Sequence, residues 1–144
     1  EFPSYTGTRL EISDTIVESS NSTFTVLFKA YEVEDLVGLQ VYFTFDEDYI
    51  ILPDGEDAAS LVNDFGLFAS GYKIVKYENG VFLVSLAQSD VINLNNAPIF
   101  AVTLQGNGLN GETKIRFAEK TKLVGQDQTV IEASLFDTGV VVFH

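Results

Sequence analysis

Gly38 to Ile50 reads GLQVYFTFDEDYI. Leu39, Val41, Phe43 and Phe45 alternate there with Gln40, Tyr42, Thr44 and Asp46. Successive side chains of a strand point to opposite faces, so the first set enters a core while the second meets water or a partner. An amphipathic helix would instead repeat its apolar residues at about 3.6-residue spacing, which this run does not do. The alternation ends in an acidic turn, Asp46-Glu47-Asp48, and the chain resumes with the aliphatic pair Ile50-Ile51.

Outward from this stretch, turn residues recur at intervals of roughly 8 to 12 positions, the spacing of an all-β sandwich or barrel. Strands are expected at Thr8 to Ser13, Ser22 to Ala30, Leu39 to Asp46, Tyr49 to Leu52, Gly71 to Tyr77, Val81 to Gln88, Ile99 to Gln105, Thr113 to Glu119 and Gly139 to Phe143. Shorter pieces fit Lys122 to Val124 and Val130 to Ala133. Glu78-Asn79-Gly80 is a hairpin signal, because Asn and Gly tolerate the positive φ of a tight turn. Helix is expected only at Glu56 to Asn63, after the turn at Asp54-Gly55, with one more short turn of helix following Ser89.

The period of two names the inward set. It comprises Leu10 and Ile12; Phe24, Val26 and Phe28; Leu39, Val41, Phe43 and Phe45; Phe82, Val84 and Leu86; Phe100, Val102 and Leu104; and Ile115 with Phe117. With 144 residues, 46% of them hydrophobic, and 12 Phe, the chain has the size and composition to bury one core, and a single domain over 1-144 is expected. No run approaches 18 apolar residues, so no helical membrane span is expected, and no leading segment reads as a signal peptide. The absence of Met makes an excised domain or processed product the expectation, with Glu1-Phe2 as a cloning remnant. Zero Cys removes disulfides and thiolate metal sites. The formal charge of −13 repels phosphate backbones and anionic lipid, which argues against nucleic acid as a partner.

One strand is apolar on both sides. Phe82, Val84 and Leu86 alternate with Val81, Leu83 and Ala87, whereas an antiparallel sheet with one solvated face alternates apolar with polar. Something other than the core should cover the second set. Across the Glu78-Asn79-Gly80 hairpin its neighbours are Tyr72, Ile74 and Lys76, and Tyr is among the residues enriched at interfaces.

The order of a small residue, an alternating strand, an aromatic and an acidic turn at Gly38 to Ile50 resembles the third strand of cohesin modules, the bacterial receptors for dockerin modules of other secreted proteins. Ser22 to Ala30 (STFTVLFKA) resembles their second strand, Asn79 to Gln88 (NGVFLVSLAQ) their hairpin and sixth, and Ala97 to Leu104 (APIFAVTL) their seventh. Thr113 to Phe117 and Asp137 to Val142 resemble the eighth and ninth. The resemblance implies an all-β, nine-stranded jelly-roll sandwich of two antiparallel sheets, with at most one or two short helices. It further implies a secreted or cell-surface protein, monomeric on its own, that binds a calcium-loaded dockerin through one sheet face. The implied contacts are Gly38, Gln40, Tyr42 and Thr44; Tyr72, Ile74 and Lys76; Val81, Leu83, Ser85, Ala87 and Gln88; and Arg116. Many cohesins carry Asn and Asp where this chain has Gly38 and Gln40, and Ala-Glu where it has Ala87-Gln88.

Other chemistry has fewer parts. The only His is His144, and without Cys neither a His-dependent triad nor a thiol nucleophile can be assembled elsewhere. No cofactor motif is found. Asp46, Glu47, Asp48, Asp54, Glu56 and Asp57 are hard oxygen ligands of the type calcium takes, but their spacing matches no EF-hand loop. A carbohydrate-binding module of similar architecture is the main alternative, with Tyr5, Tyr31, Tyr42, Tyr49, Tyr72 and Tyr77 as the aromatic supply in a chain without Trp. A structural module of a surface layer or adhesin is a third.

Overall fold

The computed structural model describes residues 8–131, 133–136 and 139–143. In chain order it contains β1 (Arg9–Ile12), β2 (Thr15–Val17), β3 (Thr23–Tyr31), β4 (Val33–Thr44), β5 (Ile50–Ile51), β6 (Val62–Asn63), β7 (Tyr72–Glu78), β8 (Val81–Leu94), β9 (Ala97–Gly106), β10 (Gly111–Phe117), β11 (Lys122–Gly125), β12 (Val130–Ile131), β13 (Ser134–Phe136) and β14 (Gly139–Phe143). Single 3-10 turns lie at Ala58–Leu61 and Gln126–Gln128. The strands form two sheets. One has the order β13-β1-β3-β9-β5, with β6 also on β9. The other runs β12-β11-β4-β10-β14-β2, with β8 on the remaining edge of β4 and β7 outside β8.

A single antiparallel ribbon threads both layers. β3 pairs with β9 as far as Ala30 opposite Ala97, and the same two chain segments resume as β4 and β8 with Val33 opposite Leu94. The ribbon turns the corner between sheets at Glu32 (φ 53°) and Asn96 (φ 54°). Asn side chains hold this bend: Glu32 N donates to Asn95 Oδ1 at 3.3 Å, and Asp35 N to Asn93 Oδ1 at 3.0 Å. A folded-over ribbon of this kind makes the sandwich a jelly roll.

Each of the nine expected strands overlaps an observed one, and β2, β6 and β13 add pieces too short to show a period. Pairing is antiparallel except at two edges, where β1 meets β13 and β2 meets β14 in parallel. Helix at Glu56 to Asn63 shrinks to the Ala58–Leu61 turn, capped by Asp57, whose carboxylate accepts from Ser60 N at 2.9 Å. β-branched Val62 leaves that turn to pair with Val102 on the sheet edge. The helical turn expected after Ser89 is instead a bulge within β8, which places four residues, Gln88 to Val91, between Ala87 and Ile92 where β4 places only Val37 between Gly38 and Leu36. Tyr5, Asp137, Thr138 and His144 lie outside the described residues.

The inward set reaches the core as the period of two requires. Phe43, Phe82 and Phe100 are fully enclosed and Phe28 nearly so; only Phe117 stays half-buried. Rings join the two layers: Phe100 stacks on Phe28 at 4.5 Å, Phe28 meets Phe43 at 4.8 Å, and Phe43 stacks on Phe82 at 4.8 Å. At one end Tyr77 lies parallel to Phe45 at 5.5 Å, its hydroxyl enclosed without a hydrogen-bond partner. Burial, and then the negative charge of Glu47, push the Tyr77 phenol above its ordinary range.

Truncating Phe43 to Ala removes a ring that touches Phe28, Phe45 and Phe82, and should cost about 3–5 kcal/mol in urea unfolding. For Tyr77 the sign follows from linkage. The folded pKa exceeds the unfolded one, so its contribution is intact below about pH 10 and is lost as pH rises beyond that. Tyr77→Phe should therefore gain about 1 kcal/mol at pH 8, by relieving an unsatisfied hydroxyl, and lose less stability than the parent between pH 8 and 11. A destabilised variant with an unchanged alkaline slope would contradict both points.

Candidate docking face

With the Phe side chains of β4 and β8 pointing inward, alternation turns the intervening residues out, and cross-strand register aligns them in rows. Lys76 of β7 lies opposite Leu83 of β8, and Leu83 opposite Tyr42 of β4. The next row runs Ile74, Ser85, Gln40 and Lys122, the one beyond it Tyr72, Ala87, Gly38 and Val124, and on the other side Glu78, Val81, Thr44 and Arg116. The four strands named from sequence are thus laterally adjacent in the order β7-β8-β4-β10, and twelve of the thirteen expected contact residues fall on one surface.

Gln88 is the exception. It follows Ala87 on the opposite parity, at the start of the bulge, where its carboxamide accepts from Ser70 Oγ at 3.1 Å and donates to the Asp90 carbonyl at 3.2 Å. Two others contribute little side chain to the surface. Gly38 is buried, and a Cβ there would stand 3.0 Å from the Leu86 carbonyl oxygen; Ser85 is only 6% exposed between its larger neighbours. Tyr72 and Ile74 are 51% and 45% exposed, while Val81, Leu83 and Tyr42 are half-buried, flanked by neighbouring side chains but open above.

Two projections border this row. The β7–β8 hairpin turns through Asn79 (φ 54°) and Gly80 (φ 77°), the paired positive φ values of a two-residue turn. On the far side, β4 changes partner: Phe43 pairs with Phe117 of β10, Gln40 with Lys122 of β11, and residues 118–121 leave the sheet between them. Thr121 holds this excursion. Its hydroxyl accepts from Tyr42 N at 3.0 Å and lies 3.1 Å and 3.0 Å from the Tyr42 and Ala118 carbonyls, while Ala118 N donates to Tyr42 O at 2.7 Å. Between hairpin and excursion lies a depression of about 470 Å³, floored by Tyr42, Val81 and Leu83 and walled by Lys76, Glu78, Asn79 and residues 118–120. Thr121 was not marked by the sequence, since a lone Thr after a strand carries no pattern.

Of the acidic residues considered for calcium, Asp46, Glu56 and Asp57 accept hydrogen bonds within their own turns. Asp46 Oδ1 accepts from Asp48 N at 2.9 Å, and Glu56 Oε2 accepts from Ser60 Oγ at 2.9 Å. Among the described residues no group of three or more His, Asp or Glu is placed to hold a metal ion. Of the tyrosines weighed as a sugar platform, Tyr31 lies under the Arg9 guanidinium at 3.8 Å and Tyr77 is stacked on Phe45. Among the described residues only Tyr42 and Tyr72 of these tyrosines share the outer face, two rows apart.

No family model and no curated protein matches the sequence. Solved structures do match the fold. A non-cellulosomal cohesin of the archaeon Archaeoglobus fulgidus aligns at TM-score 0.73 and 10% identity, covering 96% of this chain and 92% of that one. The sixth cohesin of scaffoldin B of Acetivibrio cellulolyticus, solved in complex with a Cel5 dockerin mutant, aligns at 0.73 and 14%, covering 96% and 100%. A type I cohesin–dockerin complex of Clostridium thermocellum aligns at 0.67 and 14%, covering 99% of each chain. The chain therefore has the jelly-roll sandwich of cohesin modules, as the sequence resemblance implied.

Thr121→Val keeps the shape and removes the acceptor for Tyr42 N. It should cost about 1–2 kcal/mol and speed hydrogen exchange at the Tyr42 amide while leaving that of Phe82 unchanged. Equal protection of Tyr42 in the variant would show that Thr121 does not anchor the excursion.

Proposed function

We propose that this chain, a domain with the cohesin fold, is a non-catalytic receptor module that binds a calcium-loaded dockerin of another secreted protein, acting as a monomeric domain over 1-144. Its docking surface is the outer face of β7-β8-β4-β10, formed by Gly38, Gln40, Tyr42, Thr44, Tyr72, Ile74, Lys76, Val81, Leu83, Ser85, Ala87 and Arg116. Its setting is a secreted complex or a cell surface, where it anchors the protein that bears the dockerin.

One observation carries this reading: the second apolar set of β8 is not covered by the molecule's own loops. Folding has used Phe82, Val84 and Leu86, and leaves Val81 and Leu83 beside Tyr42 on the floor of the open depression, with Ile74 and Tyr72 exposed in the neighbouring rows. A contiguous open apolar surface of this kind is a sign of association, and a standard interface of about 1,200–2,000 Å² in total would span the four strands. Two of the structural neighbours described above are in complex with dockerins. Absence of Cys, and a single His at position 144, supports a role in binding and not in nucleophilic catalysis.

The test is Leu83→Asp, with binding measured against a panel of immobilised calcium-loaded dockerins. A charge placed on the floor of the depression should weaken the best binder about 30-fold or more, the size of a hot-spot loss, with the thermal midpoint within a few degrees of the parent. Undiminished binding by a folded variant removes this face from the interface. Retardation of the parent in cellulose or xylan gels, with no dockerin captured, would favour the carbohydrate-binding alternative.

A further inference from the structure

The chain carries 8 basic and 21 acidic residues, and the basic ones are unevenly placed. Lys114 and Arg116 occupy successive outward positions of β10, Lys120 tops the excursion, and Lys122 faces outward on β11 opposite Gln40. All four are exposed. Because β10 and β11 lie end to end along the same edge of β4, Arg116 and Lys122 stand opposite Thr44 and Gln40 on either side of Tyr42, Lys120 lies in the excursion between them, and Lys114 lies one outward position beyond the paired segment. Lys76 adds a fifth cation across the Tyr42–Leu83 row. The three remaining basic residues, Arg9, Lys29 and Lys73, lie off this face: Arg9 stacks on Tyr31, Lys29 is on the first sheet, and Lys73 Nζ donates to the Val62 carbonyl. Glu112, Glu78 and Glu119 stand at the ends and in the walls, and Asp46 shares a hollow with Lys114 and Arg116, so the acidic character of the whole chain is interrupted along this flank but not at its limits.

A protein of net charge −13 repels acidic partners everywhere except where its own cations collect, so such a column steers and orients a partner. We propose that the docking face selects a dockerin whose contact surface is an apolar ridge bordered on one side by carboxylates, which meet the column of Lys114, Arg116, Lys120 and Lys122. This rests on the docking role proposed above and specifies its partner. The apolar floor between Lys76 and the column requires the ridge, so a bare polyanion lacks half of the match.

The experiment uses the whole chain and a panel of calcium-loaded dockerins graded by the charge of their contact surface, from basic to acidic. Acidic members should bind best, and their affinity should fall about tenfold or more between about 50 and 500 mM NaCl, as exposed charge pairs are screened. Arg116→Glu/Lys122→Glu should lower binding of acidic members at least about tenfold, chiefly through slower association, and raise that of basic ones. Lys29→Glu on the first sheet, the control for net charge, should change little. Preference for basic dockerins, or insensitivity to both salt and the double reversal, overturns this inference while leaving the receptor reading in place. Capture of no dockerin at all overturns both, and so does equal binding of a sulfated polysaccharide that survives Leu83→Asp.

Discussion

The stack of Phe100, Phe28, Phe43 and Phe82 is the constraint from which the rest follows. It bridges the two sheets through ring contacts of 4.5 to 4.8 Å, and offset rings of this kind add to the transfer free energy of burying them. Because strand side chains alternate, seating Phe43 and Phe82 in the core leaves no choice for Tyr42 and Leu83: a one-residue slip would eject the rings to expose the opposite set. The same residues that hold the sandwich together therefore dictate which residues face out. A core requirement and a surface property are linked through the pleat.

What stands on that outward face is shaped by how β4 is bordered. Its one edge is shared by β10 and β11, and the handover occurs at Tyr42, where Thr121 supplies the hydrogen bonds that a continuous neighbour would have made. The excursion this permits raises a wall opposite the Asn79-Gly80 hairpin. A plain sheet thereby gains a bounded floor, with Leu83 and Tyr42 at its centre and cations along one side.

Much of this was legible in the sequence because burial and strand parity are local properties. Leu39, Val41, Phe43 and Phe45 declared their strand by period alone, and the Glu78-Asn79-Gly80 turn declared its hairpin by the φ values its residues tolerate. Features that depend on distant pairing were not legible. The Ala58–Leu61 turn was read as a longer helix because nothing local to Val62 says that Val102 will claim it. Gln88 entered the expected contacts through the resemblance to the Ala-Glu of many cohesins, whereas strand parity by itself sets it on the other side from Ala87. The alternation of Lys114, Arg116, Lys120 and Lys122 was available but uninterpretable until β10 and β11 were seen to share an edge. The solved cohesins share this fold with the chain at only 10 to 14% identity.

The central claim is that the apolar outer set of β8 is left open by folding and closed by a partner. Methyl-resolved NMR of Val and Leu residues, recorded with a soluble paramagnetic probe before and after saturation with the tightest dockerin of the panel, tests it most directly. The account predicts that Val81 and Leu83 relax strongly in the free protein and are shielded in the complex, while Val26 and Val102 in the core stay unaffected in both. Shielding of Val81 and Leu83 in the free protein, or protection on binding confined to the other sheet, would contradict it.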